Sequence, residues 1–402
     1  MAVNTLTFEQ VSTVLTSIVQ QATNQTVLTP TDTASFVSVA QIALRADRDA
    51  VMNAISNVLA RTIFSIRPYS AKMTGLEMDS FRWGNMMRKL SIADEDWQDD
   101  PAYAWPATYD ANQTPATGDG EMIDMWTIKK PNTLQTNFYG ASVYFDEMTI
   151  FEDQLESAFS GPEQLGSFLT LLMTNLSNRL EMSNEGLRRG LVCNAIGALK
   201  AENNSDRVIH LLSEYNAATD ESFTQQDIYK PENFGNFTKW MYARVAEISD
   251  LFTANSTMFQ TVISGKPVLR HTPVEFQRIY MYSPIIRQIE ARVLADTYHD
   301  TFLRYADVES LAYWQSIKTR DTVSVTPVYT GTDGAVVTGT AQVVENVVGL
   351  IFDRDAMGMT ILDRRVLSTP LNSKGMYRNL HIHAKQRVLY DQTEKLALLL
   401  LD

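Results

Sequence analysis

The sequence predicts an α+β protein, and three observations lead to this class. Apolar residues repeat at three- and four-residue steps from Pro162 to about Lys200, which indicates one long helix. Residues 207–345 mix helical and strand patterns, and the last sixty residues are mainly strand-like. The long helix and the closing strands are the features on which the predicted class depends.

Composition and charge exclude several classes of protein. Apolar residues make up 45% of the 402 residues, enough for a sizeable core. The formal net charge of −13 argues against general nucleic-acid binding, which needs a basic surface. A single cysteine, Cys193, excludes an intrachain disulfide framework. Its helical surroundings predict a small buried side chain, with a catalytic thiol as the alternative.

The sequence predicts no membrane partner. The first ten residues, MAVNTLTFEQ, lack the basic start and apolar core of a signal peptide. The longest strongly apolar run, from Leu396 to Leu401, is far shorter than the ~20 residues that span a bilayer.

Two amphipathic helices are predicted near the start of the chain. Thr7 and Gln10 have the spacing of a capping box, and apolar residues follow at helical steps. Asp32 or Thr33 can cap a second helix, whose apolar positions run from Phe36 to Leu59.

The chain changes character between Pro68 and Ala141. Short alternating pieces, Leu76–Met78 and Trp126–Ile128, are separated by prolines and by the turn signal Gly118–Gly120. A stretch of this length without a regular period is uncommon inside a compact domain. We predict an extended two-stranded arm with a long tip. The alternative is a set of surface loops that fold on their own domain.

Aromatic and charged side chains are interleaved from Phe81 to Pro106. Such residues concentrate where protein surfaces meet, so we expect another chain to cover this segment. The adjacent pair Arg188–Arg189 on the long helix is interpreted either as a solvated helix face or as a contact to a neighbour's acidic run. The candidate intersubunit contacts are Arg82, Trp83, Arg88, Lys89, Asp94, Glu95, Asp96, Trp97, Asp99, Asp100, Trp105, Arg188 and Arg189.

Further elements are predicted in the second half of the chain. Residues 237–252 have a helical apolar face, and Gln277–Tyr282 is strand-like. Gly331–Gly334 is a hairpin signal between the valine pairs Val323–Val325 and Val336–Val337. Closing strands are predicted at 347–352, 357–362 and 377–390, with a turn at Leu371–Gly375.

No motif predicts catalysis or a cofactor. The chain has no Gly-x-Ser-x-Gly elbow, no Walker-type phosphate loop and no dinucleotide-binding glycine pattern. His381 and His383 would share one face of a strand, a spacing that can bind zinc, but a site needs further ligands. Asp353 and Asp355 are interpreted as a strand-end turn. We assign no catalytic, cofactor-binding or metal-binding residue. A metal-dependent hydrolase that uses His381, His383 and Asp353 is the remote alternative.

The order of the predicted elements resembles the major capsid protein of tailed bacteriophages with the HK97 fold. This order is an N-terminal arm with helices, an extended hairpin, a long helix, an α/β region and closing strands. The resemblance is greatest for the phi29-like, podovirus-type branch and covers nearly the whole chain. It is carried by Trp83–Asp100, Asn137–Tyr144, Phe352–Gly358, Pro370–Tyr377 and the final strand from His381.

The resemblance implies that the chain is divided into the parts of the HK97 fold. Residues 1–66 would be the N-terminal arm with its helices, and residues 67–145 the extended E-loop hairpin. Residues 146–210 and 343–402 would form the P-domain, with its long spine helix and long strands. Residues 211–342 would form the α/β A-domain.

The resemblance also implies a function, which is structural and not enzymatic. Such proteins self-assemble as hexamers and pentamers into the icosahedral or prolate shell that encloses phage double-stranded DNA. Scaffolding and portal proteins, and in some cases decoration or head-fibre proteins, are the expected partners, with assembly in the bacterial host cytoplasm. The acidic charge of this chain suits a virion capsid lining that does not hold DNA tightly. An encapsulin-like nanocompartment shell is the main alternative.

Overall fold

A computed structural model describes most of the chain. The segment Trp126–Ile128, the expected continuation of the second helix to Leu59, and most of Phe81–Pro106 lie outside the described residues. The described residues are 8–23, 29–45, 50, 54, 72–78, 86–93, 132–139, 142–151, 153–154, 161–202, 204–292 and 307–402.

The helices agree with the helical patterns of the sequence. The first begins at Phe8, and Asp32 caps the second, because its side-chain oxygen accepts a hydrogen bond from the backbone N–H of Ser35 at 2.7 Å. In the described residues the helices are α1 (Phe8–Thr23), α2 (Thr33–Arg45), α3 (Pro162–Glu202), α4 (Leu211–Thr219), α5 (Gln225–Ile228), α6 (Pro231–Thr253) and α7 (Ser283–Arg292). None of them is long and apolar enough to cross a membrane.

The helix α3 is the longest of these, with 41 residues and a length of about 60 Å at ~1.5 Å per residue. It begins at Pro162, whose missing N–H costs nothing in a first helical turn. The helix continues through Gly186, Gly190 and Gly197, the positions at which the sequence allowed a kink. The predicted long helix is therefore confirmed, and it ends within one helical turn of the expected residue, Lys200.

Two larger sheets organise the rest of the fold. In the described residues the strands are β1 (Met86–Ile92), β2 (Thr133–Tyr139), β3 (Ser142–Phe151), β4 (Val208–His210), β5 (Gln277–Tyr282), β6 (Asp307–Leu311), β7 (Val323–Val325), β8 (Val328–Thr330), β9 (Val336–Thr338), β10 (Gln342–Val344), β11 (Val347–Asp353), β12 (Met357–Ser368), β13 (Tyr377–Tyr390) and β14 (Leu396–Leu400). One of the two larger sheets has the strand order β12-β13-β3, and the other has the order β4-β14-β11-β5-β6.

The three-stranded sheet packs one face against the first half of α3. Along β13, residues such as Leu380, Ile382 and Ala384 are buried and alternate with partly exposed neighbours, as expected for a sheet covered on one side. These residues join a core with Leu172 and Leu176 of α3, to which α1 and α2 also contribute. The long helix, the two N-terminal helices and this sheet therefore share one core.

The five-stranded sheet is covered on both faces. Leu350 and Leu398 belong to one core, whereas their chain neighbours Ile351 and Leu399 belong to another on the opposite face. Every residue of β14 is buried. The continuous apolar run at Leu396–Leu401 is thus a strand with cores on both sides, which explains why it does not alternate.

Two sequence-based expectations need correction. The segment Leu76–Met78 is not a strand, because Thr74–Leu76 is a short 3-10 helix and Glu77 makes only an isolated bridge with Met359. The glycine turn Gly331–Gly334 does join a hairpin, but that hairpin pairs β8 with β9. The valine segment β7 pairs with β10 instead.

The division at residue 342/343 runs through the five-stranded sheet. Strands β11 and β14 lie on one side of that division and β5 and β6 on the other, yet β11 pairs with both β14 and β5. The five-stranded sheet would therefore be shared between the predicted P-domain and A-domain. The division into these two parts stays a prediction.

Candidate interaction surface

A two-stranded arm lies within the irregular stretch where the sequence predicts one, but its strands are β1 and β2 and not the segment Leu76–Met78 that the alternation indicated. Strand β1 pairs antiparallel with β2, from Met86 opposite Tyr139 to Ile92 opposite Thr133. Side chains on successive residues of a strand point to opposite faces. The pairing therefore gives the arm two distinct faces.

The outward face of the arm is apolar and exposed. Leu90 and Ile92 are 65% and 62% exposed, and Arg88 precedes them on the same face. Their partners across the arm are the exposed polar residues Thr133, Gln135 and Asn137. Large aliphatic side chains left this exposed on adjacent alternate positions are typical of a surface that another protein covers.

The other face of the arm meets the body of the chain through charge. The ammonium of Lys89 lies 2.5 Å from Oδ2 of Asp391 and also binds Glu394. Arg270 donates to the hydroxyl of Ser91 at 2.7 Å and lies 3.4 Å from the Glu394 carboxylate. We call Lys89, Arg270, Asp391 and Glu394 the anchor cluster.

The electrostatics of the anchor cluster follow from burial and mutual attraction. Burial opposes the charge on Lys89, but attraction to Asp391 and Glu394 outweighs it and raises the pKa of the ammonium. Burial also raises the pKa of Glu394, against the attraction of Lys89 and Arg270. Lys89 is therefore held in its charged form inside its own chain.

The pair Arg188–Arg189 lies in the interior, and the interpretation of a solvated helix face is wrong. The fully buried guanidinium of Arg188 binds Glu77 and donates to the carbonyl of Lys72 at 3.2 Å. Arg189 donates to Glu185 at 2.8 Å, and its guanidinium lies 3.8 Å from the centre of the Tyr313 ring. The sequence pattern could not show this burial, because an arginine pair has the same spacing on a buried helix face as on a solvated one. A contact of either residue with a neighbour stays a prediction and would require these bonds to open.

Four of the candidate intersubunit contacts are among the described residues, and as contacts with a neighbour all thirteen stay predictions. Arg88 is exposed, whereas Lys89, Arg188 and Arg189 bind groups of their own chain. The candidates outside the described residues are Arg82, Trp83, Asp94, Glu95, Asp96, Trp97, Asp99, Asp100 and Trp105.

A second exposed surface, which the sequence did not single out, is the outer face of the three-stranded sheet. Val143 and Phe145 of β3 are 60% and 56% exposed. His381 and His383 share that face, as predicted, with ring centres 5.3 and 5.2 Å from that of Phe145. The signal was present in the alternation of Val143, Phe145 and Phe151 along β3, which places all three on one side.

Comparison with known proteins decides the family. The model of the family described as "Phi29-like phage major capsid protein" matches residues 15–400. The chain belongs to this family. The predicted resemblance is thereby confirmed, and the match favours a phage capsid over an encapsulin-like shell.

Solved structures support the same fold for this capsid protein. The capsid structure of Staphylococcus phage Andhra aligns with a TM-score of 0.51 and 11% identity, covering 84% of this chain and 87% of that chain. A structure described as the head fiber and inner core protein gp22 of native bacteriophage P68 aligns with a TM-score of 0.50 and 10% identity, covering 83% and 85%. The fold is HK97-like. No curated protein sequence gives a significant match.

The capsid protein forms the shell of a phage virion and belongs to a structural family. The three residues of the hydrolase alternative do not lie together. The Asp353 carboxylate is buried in the five-stranded sheet and accepts a hydrogen bond of 2.6 Å from the hydroxyl of Thr272. His381 and His383 lie on the three-stranded sheet. Among the described residues, no three His, Cys, Asp or Glu side chains are grouped so that they could hold a metal.

Proposed function

We propose that this capsid protein assembles with copies of itself into hexamers and pentamers that close an icosahedral or prolate shell around double-stranded DNA. The observation that carries this proposal is the arm, which exposes Leu90 and Ile92 on a face that the described part of the chain leaves uncovered. A shell subunit needs such unpaired apolar surface, because burial of apolar area drives association.

Electron microscopy of the recombinant protein, alone and with its scaffolding protein, tests this proposal. Shells or capsomers are expected. A compact monomer under every condition would contradict it.

We further propose that the outward face of the arm contacts a neighbouring subunit. Arg88 lies beside Leu90 and Ile92 and supplies a positive charge at the edge of the apolar patch. The acidic residues Asp94–Asp100 and the tryptophans of the same stretch are the further candidate contacts. Tryptophan and arginine side chains are enriched at interface hot spots, and exposed aliphatic side chains beside them are typical of a covered surface.

The parts of the HK97 fold are proposed with the boundaries that the sequence predicted. Residues 67–145 would form the E-loop, and the β1–β2 pairing supports an extended hairpin there. Residues 1–66, 146–210 with 343–402, and 211–342 would form the N-terminal arm, the P-domain and the A-domain.

Partners other than the chain itself are proposed on the family resemblance. They are scaffolding and portal proteins, with decoration or head-fibre proteins as further candidates, and assembly is expected in the host cytoplasm. Head fibre is named in the description of the P68 structure, where it is said of that phage. The net charge of −13 supports a lining that does not hold DNA tightly and binds no particular sequence, because acidic side chains outnumber the basic ones that would bind phosphates. No catalytic role or cofactor is proposed.

A further inference from the structure

Charged and polar groups contact the body of the chain on the inner face of the arm, beside the partly buried Leu134 and Phe138. Residues 88–92 and 133–138 belong to none of the three hydrophobic cores formed by the described residues. The polar contacts are the anchor cluster, the Arg270–Ser91 hydrogen bond, and a hydrogen bond of 3.0 Å from Nζ of Lys266 to the carbonyl of Thr133. The charged groups therefore contribute to the position of the arm.

Lys89 binds two acidic side chains of the turn between β13 and β14, Asp391 and Glu394. The side chains of Asp391 and Glu394 are only 3% and 8% exposed. Oδ1 of Asp391 accepts hydrogen bonds from the backbone N–H and the hydroxyl of Thr393, at 2.9 and 2.7 Å, and so fixes the turn. Its other oxygen, Oδ2, is thereby directed to Lys89.

The charges of this site balance only when the arm is in place. Two carboxylates face one ammonium and one guanidinium. Removing Lys89 would leave two largely buried carboxylates with Arg270 alone, and a buried charge without a partner is strongly unfavourable. The body of the chain is therefore complementary to the arm lysine.

The alternation of β1 links this contact to the exposed face. Because Lys89 and Ser91 point to the body, Arg88, Leu90 and Ile92 must point away from it. Rotation of the arm about its own axis would break the ion pairs before it could turn the apolar side chains inward. The same contact thus fixes both where the arm lies and which face it presents.

We propose that the anchor cluster positions the arm on its own subunit with the apolar face outward, so that the arm is ordered before it meets a second copy of the chain. The inference that the partner is a second copy rests on the proposed function. Ordering the arm in advance removes part of the entropy cost of association, and assembly is correspondingly faster. The charges act as a positioning device and do not themselves touch the neighbour.

Hydrogen exchange in the unassembled subunit tests the anchor without reference to shells. Lys89→Met should increase amide exchange in β1 and β2 by about tenfold or more, while exchange in β11 and β14 stays unchanged. The matched control is Arg88→Met, which removes the same charge one residue away on the opposite face. Equal exchange of the arm in the two variants would overturn the proposal.

Swapping the charges of Lys89 and Glu394 provides the second test, again measured by hydrogen exchange. It distinguishes loss of the ion pair from a variant that folds poorly. Glu394 is the partner to change, because Asp391 also holds the turn. Lys89→Glu and Glu394→Lys should each increase exchange in the arm. The double variant should recover part of the protection, because the exchanged pair attracts while Asp391 and Arg270 each meet a like charge. Failure of the double variant to recover while its body remains folded would overturn the anchor. Recovery on mixing the two single variants, and not in the double variant, would place the contact between copies and also overturn it.

Assembly kinetics decide whether the anchor matters for association. At equal subunit concentration, light scattering should show assembly slowed several-fold by each single variant and partly restored by the double variant. Wild-type assembly rates in the single variants, despite rapid arm exchange, would overturn the positioning role. If wild-type protein forms no shell at all, the proposed function fails, while hydrogen exchange still decides the anchor.

Discussion

A single buried lysine closes the end of helix α6. The ammonium of Lys395 donates to the carbonyls of Leu251, Phe252 and Ala254, at 3.3, 3.1 and 2.6 Å. The last carbonyls of a helix lack i+4 donors within the helix, and here the backbone N–H groups of Ala254 and Thr272 bond those of Leu251 and Phe252. Lys395 adds a charged donor to both and also bonds the carbonyl of Ala254. Burial lowers the pKa of Lys395 to about 8.

Replacement of Lys395 by methionine should therefore destabilise the fold. The methionine keeps much of the volume but removes all three hydrogen bonds, including the one of 2.6 Å to the carbonyl of Ala254, at an expected cost of about 1–3 kcal/mol in the free energy of unfolding. Chemical denaturation at pH 7 measures it. Lys374→Met, at an exposed turn, is the control and should change the free energy by less than ~0.5 kcal/mol.

The same lysine predicts a pH dependence. The pKa of Lys395 in the folded protein, about 8, lies below the ordinary value of 10.5, so the unfolded chain binds more protons between these values. Its contribution to stability therefore rises as the pH increases through that window and is constant below it. Between pH 8 and pH 10, wild type should gain about 1–2 kcal/mol relative to Lys395→Met. A parallel pH profile for the two proteins would contradict this.

Cys193 is a buried thiol, as the sequence predicts, and its chemistry follows from burial. Desolvation raises its pKa to about 11, although Arg189 acts in the opposite direction. We expect alkylation at pH 8 to be at least ~100-fold slower in the folded protein than in denaturant, because thiolate is the reactive form. Labelling followed by mass spectrometry measures this ratio, and comparable rates would show that the thiol is accessible.

At the scale of elements, α3 provides two glycines with opposite expectations. A Cβ built on Gly190 has no neighbour within 4 Å, whereas one on Gly197 would lie 2.3 Å from Cγ1 of Val325. Gly190→Ala should stabilise the protein by about 0.5–1 kcal/mol, because alanine favours the helix. Gly197→Ala should destabilise it by about 1–3 kcal/mol, because β7 must move. Thermal unfolding compares them, and equal effects would contradict the packing.

Elements with a strong period could be predicted from the sequence, and pairing between short ones could not. The helix α3 and the strand β13 were located from their apolar repeats, because a long pattern contains many independent positions. The valine segments β7 and β9 have no such length, and both are compatible with the turn at Gly331–Gly334. Only the packing of β7 against α3 at Gly197 and its pairing with β10 separate the two arrangements.

The candidate site was predicted in part for a related reason. The sequence located the arm, but it could not assign Lys89 to a partner, because Asp391 and Glu394 lie about three hundred residues later. Local patterns likewise could not show that Arg188 is buried. Interactions between distant parts of a chain leave no period in either segment.

At the scale of the whole molecule, the outward face of the arm should govern assembly and not folding. Leu90→Ser with Ile92→Ser removes two exposed aliphatic side chains that touch none of the cores. We expect unchanged thermal unfolding but assembly reduced by about tenfold or more, since apolar burial drives association. Sedimentation and electron microscopy measure it. Ile317→Ser, which is 66% exposed elsewhere, is the matched control, and equal loss there would contradict a specific role of the arm.

The central position of β14 has a consequence for the order of folding. Strand β4 pairs only with β14 among the described strands, although nearly half of the chain separates them. During synthesis, the strand Val208–His210 therefore has no strand partner until Leu396–Leu400 has been synthesised and has left the ribosome. Pairing over such sequence distances is slow, and unpaired strand edges promote aggregation. Between the synthesis of β4 and that of β14, the nascent chain therefore exposes an unpaired strand that can aggregate.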